Sequence, residues 1–381
     1  MGDSGEVRIG LLLPTTGVDS AQGMDAAKGF ELHLKKHGYR AGGREMRILK
    51  ENDEARPELA LAKIRKLIEE DGVDFVVGPI SSAVALAIRN YVHERATPLL
   101  VPAAFTRLLT SPQHASPNIF RLSETSDQAN YPMGAWLMKN TRYRKVIVMA
   151  ADFAGGRHSV EAFMAGFRAS GGEIVAQIYA PFGTADFAPY LHEAKSVQAD
   201  AVYAWFAGAD AVHFVKQYRG HDHGNSLPLT GHSALTVDTI LPAIGDAALG
   251  IVTVGAYSAA LQTRENREFV RDYEAAYDAW PSRYSECGWC AAALIGTALD
   301  ALQGDLSDRS KVRDELKNAL PKIRPPRGSM QFDAYRQVIT PIYITRTERS
   351  AERLVNVVID KIPAVSQEAT WGWWNRIRRN G

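Results

Sequence analysis

The chain has 381 residues, of which 46 % are hydrophobic and 23 % charged, so two globular units are expected and wholesale disorder or a fibrous repeat is excluded. Lys and Arg number 44 against 43 Asp and Glu, and the net charge of +1 argues against nucleic acid or an anionic membrane as a partner. No apolar run is long enough to span a bilayer.

The sequence alternates between strand and helix patterns in two series. In the first series, strand patterns occupy residues 7–13, 47–51, 73–77 and 99–101, and helix patterns occupy 24–36, 57–70 and 83–95. In the second, strand patterns occupy 146–149, 174–179, 201–205 and 227–230, and helix patterns occupy 158–169, 187–198 and 210–219. Strands that alternate with helices of about ten to fifteen residues indicate parallel sheets. The sequence therefore predicts an α/β fold with two doubly wound parallel-sheet lobes.

The last third of the chain begins with a strand pattern at 251–255 and two helix patterns at 265–279 and 286–303. No strand of the second series follows for these helices to pack on, so we expect them to return to the first sheet. Pro325 and Pro326 break the helical pattern. Short strand patterns at 329–332, 338–345 and 354–359 follow, and the Trp- and Arg-rich tail at 363–381 is expected to dock on a lobe.

Most enzyme motifs fail on this sequence. The loop after the first strand, at 14–19, lacks the Gly-rich patterns that bind nucleotide phosphates. Residues 231–235 begin like the nucleophile elbow of α/β-hydrolases, with Ser233 as the nucleophile. Leu235 replaces the closing glycine, however, and no histidine follows His232. We predict that the protein is not an enzyme, with a hydrolase using Ser233 as the alternative.

Metal and redox motifs are equally incomplete. His221 and His223 lie in a Gly- and Asp-containing stretch without an obvious third ligand, which is typical of a solvated loop. Cys287 and Cys290 have redox-motif spacing but lie in an Ala-rich helix pattern, so buried helix cysteines are expected, with a local disulfide as the alternative. We expect no metal and no cofactor.

The ends of two successive strands favour a binding site. The strand at 73–77 runs into Ser81 and Ser82 at the start of a helix, where backbone N–H groups and hydroxyls suit a carboxylate. The strand at 99–101 is followed by the small residues Ala103 and Ala104 and then the ring of Phe105. Ligands of open parallel sheets bind at the carboxyl ends of strands. The two segments together therefore predict a ligand site.

The sequence resembles the leucine/isoleucine/valine-binding group of periplasmic solute-binding proteins over residues 6–345. The segments that carry the resemblance are Ile9 to Gly17, Asn52 to Pro57, Val73 to Pro79, Pro102 to Ala104, Phe120-Arg121, Arg327-Gly328 and Phe332-Asp333. It implies a Venus-flytrap of two α/β lobes that close on a ligand and deliver it to a membrane ABC permease. It places three crossovers near 122–126, 249–253 and 326–330.

The resemblance also implies lobe boundaries and ligand contacts. Lobe 1 is expected at 6–122 plus 252–327, and lobe 2 at 123–251 plus 328–362. Ser82 corresponds to the family's carboxylate-binding serine. Ala103 and Ala104 correspond to backbone groups around the charged end of the ligand, and Gln22 lies where the amino-acid binders have an aromatic ring.

Several positions depart from the amino-acid binders. Phe105 replaces a ligand-gripping threonine, and the acidic partner of the ammonium group falls near His232 and Ser233, neither of which carries a fixed negative charge. Two aromatic positions of the second lobe fall at Gly155 and Ala207, which widens the pocket, while the rings of Phe153, Trp205 and Phe206 lie nearby. Burying an ammonium group without a counter-charge is costly. We therefore predict a ligand that keeps a carboxylate, lacks the ammonium group and has an aromatic or bulky apolar body.

Two other ligands and functions stay open at this point. The ligand can instead be a branched-chain amino acid or an amide held by backbone groups and water. A cytosolic ligand sensor is the other class, but the chain has no spare output domain. Residues 1–5 show no secretion signal, and we expect a periplasmic monomer whose signal is absent from this sequence.

Overall fold

The computed structural model describes residues 5–17, 19–220 and 227–372 and contains two sheets whose strands are connected by helices. The strands are Val7–Leu12 (β1), Arg40–Ala41 (β2), Arg44–Glu51 (β3), Phe75–Val77 (β4), Leu99–Val101 (β5), Ile119–Arg121 (β6), Lys145–Ala151 (β7), Glu173–Ala180 (β8), Ala201–Trp205 (β9), Leu229–His232 (β10), Val252–Gly255 (β11), Gln331–Phe332 (β12), Val338–Ser350 (β13) and Arg353–Val365 (β14). The helices are Ser20–Lys36 (α1), Pro57–Arg65 (α2), Ser82–Glu94 (α3), Ser126–Asn140 (α4), Ala154–Ala169 (α5), Ala188–Lys195 (α6), Gly208–Gly220 (α7), Leu241–Ile244 (α8), Arg264–Tyr277 (α9), Arg283–Ala301 (α10) and Arg309–Ala319 (α11).

The chain divides into two units. Unit 1 runs to Glu124 and resumes from Gln262 to Thr340, and unit 2 takes Thr125–Leu261 and the chain from Pro341 onward. The expected boundaries at 122, 251 and 327 differ from these.

Strand pairing explains the second and third differences. β11 pairs in parallel with β10, which places its residues in unit 2 and not in the first lobe. β12 pairs with the first residues of β13, and the Gln337 side chain bonds to Arg121 and Ser123, which keeps residues 328–340 in unit 1. β14 extends to Val365, into the segment that the sequence assigned to the tail.

Unit 1 is built on a sheet with the strand order β2-β3-β1-β4-β5-β6. β1 pairs in parallel with β3 on one side and with β4 on the other. The strand order therefore reverses between β1 and β4, and the sheet grows outward from this pair in both directions. In such sheets the crevice where ligands bind lies at the carboxyl ends of the two strands where the order reverses. The loops after β1 and β4 are therefore the part of unit 1 where a site is expected.

Close packing of α1 against α10 fixes the position of the α10 N-terminus. A Cβ on Gly29 would lie 1.8 Å from the Ser285 carbonyl oxygen, and one on Gly288 would lie 2.0 Å from the Ala26 carbonyl oxygen. Only glycine permits this approach of the two backbones. Ser282 caps α10 by accepting the Tyr284 N–H.

Unit 2 has a sheet with the order β13-β11-β10-β9-β7-β8, with β14 paired to β13. The pairs among β7 to β11 are parallel, and β13 is antiparallel to β11. Two parallel-sheet units confirm the predicted fold class. Cys287 and Cys290 are buried free thiols of α10, as the sequence predicts. His221, His223 and the tail beyond residue 372 lie outside the described residues.

Candidate ligand-binding site

In unit 1, the loop after β4 leads into the N-terminus of α3 with two hydroxyls. Ser81 is the N-cap residue in an extended conformation, and Ser82 is the first residue of the helix. The Ser82 Oγ accepts the N–H of Thr106 at 3.2 Å. Because a hydroxyl accepts with a lone pair and donates its own proton, Ser82 can also donate to an anion. The helix N-terminus favours negative charge at this place.

In the neighbouring turn after β5, residues 102–106, backbone polar groups are hydrogen-bonded to other parts of unit 1. The Ala104 N–H donates to the Ile80 carbonyl at 2.9 Å, and the Ala103 carbonyl accepts from the Ser123 hydroxyl at 2.8 Å. Ala104 adopts a φ of 62°, a conformation that is costly for a residue with a Cβ. Both polar groups of the Ala104 backbone therefore already have partners in the protein, and its role as a ligand contact stays a prediction.

Arg121 supplies the second bond to Ala104 and fixes the turn. Its buried guanidinium donates to the Ala104 carbonyl at 2.8 Å and also to the carbonyl oxygen of Thr106. The same side chain donates to the Thr110 hydroxyl and to the Gln337 amide oxygen. From the sequence, Arg121 was recognisable only as part of a family segment, because the folded chain is needed to bring Gln337 and the turn around its side chain.

A second arginine lies on the ring of the predicted ligand residue Phe105. The Arg283 guanidinium is 4.2 Å from the ring centroid of Phe105, which is within cation–π range. Arg283 also forms an ion pair with Glu124, with 2.6 Å between the nitrogen and oxygen atoms. Neither Arg283 nor Glu124 was a predicted site residue, and their separation in sequence hides the pairing.

Three polar residues lie near the loops that follow β1 and β3. Gln22 on α1 is buried, and its Oε1 has no hydrogen-bond partner among the described residues. Asp53 follows β3 and accepts the Ala55 N–H at 2.8 Å. Burial raises the pKa of Asp53 from 3.8 to about 6, and the nearby Asp19 carboxylate adds to this effect. Gln22 keeps its place as a predicted contact.

In unit 2, three aromatic rings form a cluster at the ends of β7, β8 and β9. Phe153 lies 5.0 Å from Phe182 and 5.4 Å from Trp205 between ring centroids, and both pairs are edge to face. Phe153 and Phe182 are 37 % and 48 % exposed, whereas Trp205 is nearly buried. A Cβ on Gly155 would lie 2.7 Å from the Phe153 ring, so a glycine there lets the ring lie over the start of α5. Phe182 follows the end of β8 and was not among the predicted site residues.

Two other predicted residues of unit 2 have structural roles. Phe206 is buried in the core, 5.0 Å from Phe187 and 4.5 Å from Phe214 between ring centroids, and its role as a ligand contact stays a prediction. His232 is 2 % exposed, and its Nδ1 accepts the Ala234 N–H at 3.1 Å. The histidine therefore caps the turn that follows β10.

Ala207 and Ser233 are partly exposed after β9 and β10. Ser233 opens a 3₁₀ turn of four residues, Ser233–Thr236. A nucleophile elbow needs a sharp turn from a strand into a helix, and this turn does not provide one. Among the described residues, no group of His, Cys, Asp and Glu could hold a metal ion, and no helix is long and apolar enough to cross a bilayer.

Comparisons with known proteins agree with this architecture. A family model described as periplasmic binding protein matches residues 6–352. The Leu/Ile/Val-binding protein homolog 6 of Brucella melitensis is 28 % identical over 269 residues, which cover 70 % of this chain and 68 % of that protein. An ABC transporter substrate-binding protein from Sphaerobacter thermophilus is 33 % identical with a TM-score of 0.90, over 95 % of this chain and 99 % of that one. A solute-binding protein of an R. palustris ABC transporter, solved in complex with benzoate, is 31 % identical with a TM-score of 0.88, over 96 % and 99 % of the two chains.

Proposed function

Because the chain belongs to the periplasmic binding proteins, whose members bind small molecules and work with ABC permeases, we propose that its ligand is a small aromatic carboxylate. Proteins of this family capture and deliver solutes and are not enzymes. The observation that carries the proposal is the aromatic cluster of unit 2, in which Phe153 and Phe182 are exposed and pack with the buried Trp205. Exposed aromatic rings at the ends of parallel strands suit a flat apolar ligand.

The charge pattern supports an acid without an ammonium group. At the positions where amino-acid binders grip the ammonium, this chain has Phe105, His232 and Ser233. His232 is buried, with its Nδ1 already accepting a backbone N–H. An ammonium group placed beside His232 and Ser233 would be desolvated next to side chains that carry no fixed negative charge, which costs several kcal/mol. The hydroxyl of Ser82 at the N-terminus of α3 suits the carboxylate end of the ligand.

The ligand of a relative points the same way. The R. palustris protein that contains benzoate resembles this chain over nearly its whole length. A branched-chain amino acid is the second candidate, because the curated relatives are named Leu/Ile/Val-binding proteins. The departures at Phe105 and His232 favour the aromatic acid.

Isothermal titration calorimetry with benzoate, 4-hydroxybenzoate and leucine distinguishes these candidates. We expect saturable binding of the aromatic acids and at least a hundredfold weaker response to leucine. Cyclohexanecarboxylate is the matched control ligand, since it keeps the carboxylate and the size of the ring but lacks the aromatic faces. Tight leucine binding without a response to aromatic acids would reject the proposal.

A further inference from the structure

A buried ion pair lies beside the turn of unit 1 that follows β5, residues 102–106, which we call the ligand turn. Arg283 is the first residue of α10, and the close packing of α10 on α1 fixes its backbone. The Arg283 and Glu124 side chains are only 5 % and 1 % exposed and pair at 2.6 Å. The Arg283 guanidinium also stacks on Phe105 at 4.2 Å. A full positive charge is thus held against the ring that replaces the threonine of the amino-acid binders.

Stability alone is a weak reason for such a pair. Taking two charges out of water costs several kcal/mol for each ion, and apolar residues of similar volume often replace a buried pair without loss. The pair is also not needed to hold the turn, because Arg121 already bonds to the carbonyl oxygens of Ala104 and Thr106. A binding role for the Arg283 charge explains both its burial and its position.

We propose that Arg283 balances the charge of the ligand carboxylate, so that the ligand, Arg283 and Glu124 form a chain of alternating charge that selects anions over neutral analogues. This inference rests on the proposed binding of an aromatic acid and adds the residue that sets its charge selectivity. A guanidinium has five N–H donors in a planar fork, so one arginine can serve two carboxylates at once. The Arg283 guanidinium lies over the Phe105 ring, and this cation–π contact helps to orient its N–H donors.

The other charged and titratable groups around the turn are poorly suited to this role. Arg121 donates to four neutral acceptors within the fold. Asp19 and Asp53 are acids, and would repel an anion when ionised. Tyr284 follows Arg283 and stays neutral because burial raises its pKa to about 12. Glu124 is the negative group that competes with the ligand for Arg283.

The test compares benzoate with benzamide, its neutral analogue, in three variants. Glu124→Gln removes the internal competitor, and we expect it to raise the benzoate-to-benzamide affinity ratio about threefold to tenfold. Arg283→Gln should lower this ratio more than tenfold. The double variant Glu124→Gln, Arg283→Gln removes both members of the ion pair, so neither charge is left buried alone. It therefore serves as the test if the single Arg283 variant does not fold. It should also lower the affinity ratio more than tenfold.

A merely structural ion pair predicts different results. In that case Glu124→Gln weakens both ligands equally or leaves both unchanged, and the double variant keeps the wild-type ratio; either result overturns the role of Arg283. If the wild-type protein binds benzoate while the ratio does not respond to these variants, only this inference fails. If the wild-type protein binds neither aromatic ligand, the proposed function fails together with it.

Discussion

The ligand turn of unit 1 and the aromatic cluster of unit 2 are built in opposite ways. In the ligand turn, residues 102–106, backbone polar groups are bonded within the protein, and Arg121 is buried beneath them. In the aromatic cluster, Phe153 and Phe182 leave more than a third of their surface to solvent. The first region therefore contributes to folding and, under the proposed function, to binding as well, whereas the second exposes apolar surface that folding alone does not require.

This difference predicts how the two regions respond to substitution. Changes beneath the ligand turn should lower the free energy of unfolding as well as ligand affinity. Changes in the exposed rings should lower affinity with little effect on stability. The predictions below separate these two quantities, beginning with the largest expected effect.

Replacing Arg121 with Met should be the most damaging change. It removes the guanidinium donor from the carbonyl oxygens of Ala104 and Thr106, from the Thr110 hydroxyl and from the Gln337 amide oxygen, of which the last still accepts the Thr110 hydroxyl. Several buried acceptors that lose a charged donor together should cost about 3 to 5 kcal/mol in the free energy of unfolding. Urea denaturation followed by circular dichroism measures this loss.

The control for this variant is Arg121→Lys, which keeps the charge but cannot form the planar fork. It should recover part of the lost stability, since an ammonium group reaches fewer of the four acceptors. A loss below about 1 kcal/mol for Arg121→Met would show that the turn does not depend on this side chain.

Ser82→Ala tests the hydroxyl at the N-terminus of α3. The variant should weaken binding of an aromatic acid by about 1 to 3 kcal/mol, because a buried carboxylate oxygen loses its donor. It also removes the acceptor of the Thr106 N–H, so stability should fall by about 1 kcal/mol. Ser82→Thr keeps the hydroxyl and should keep most of the affinity. Unchanged calorimetric affinity in Ser82→Ala would place the carboxylate elsewhere.

The alternation of strands and helices was enough to predict the fold, but not every element of it. Helix α4 was not predicted from the sequence, because Pro132 lies inside the helix and polar side chains such as Gln128 and Asn130 are buried. These polar groups are bonded to partners distant in sequence: the Gln128 amide donates to the Val365 carbonyl. A buried polar face of this kind leaves no apolar stripe to recognise.

The candidate site was predictable where it depends on strand ends. Ser82 and Phe153 were predicted because they follow strands, and Phe182 follows β8 in the same way and could have been predicted too. Phe206 packs in the core although it comes one residue after Trp205, because adjacent residues at a strand end point to opposite faces of the sheet. The pairing of Arg283 with Glu124 depends on the packing of α10, which no local pattern encodes.

Phe182→Ala tests the role of the aromatic cluster of unit 2 in ligand binding. The ring is 48 % exposed, so the free energy of unfolding should change by less than about 1 kcal/mol. The affinity for benzoate should fall about fivefold to tenfold, because the ligand loses an edge-to-face partner. Ile359→Ala on β14 truncates another exposed apolar side chain and should leave the affinity unchanged. Equal losses of affinity in the two variants would mean that the aromatic cluster does not bind the ligand.

The buried carboxyl of Asp53 should make the stability of the protein fall as pH rises. Burial raises its pKa from 3.8 to about 6, so between these values the folded state holds the proton more tightly than the unfolded state. The contribution of Asp53 to stability is therefore lost as pH rises from about 4 to about 6. Relative to Asp53→Asn, the wild-type protein should lose about 3 kcal/mol across this window in chemical denaturation.

Asp200 should show the opposite pH dependence of stability in the same measurement. The Asp200 carboxylate accepts the N–H groups of Arg144 and Lys145 at 2.7 and 2.8 Å, and these bonds hold its pKa below the usual value. A lowered pKa contributes stability that is present above the unfolded value and lost as pH falls through the folded one. Relative to Asp200→Asn, the wild-type protein should therefore lose stability as pH falls below about 4. The same slope in both pairs would mean that burial does not determine the titration of Asp53.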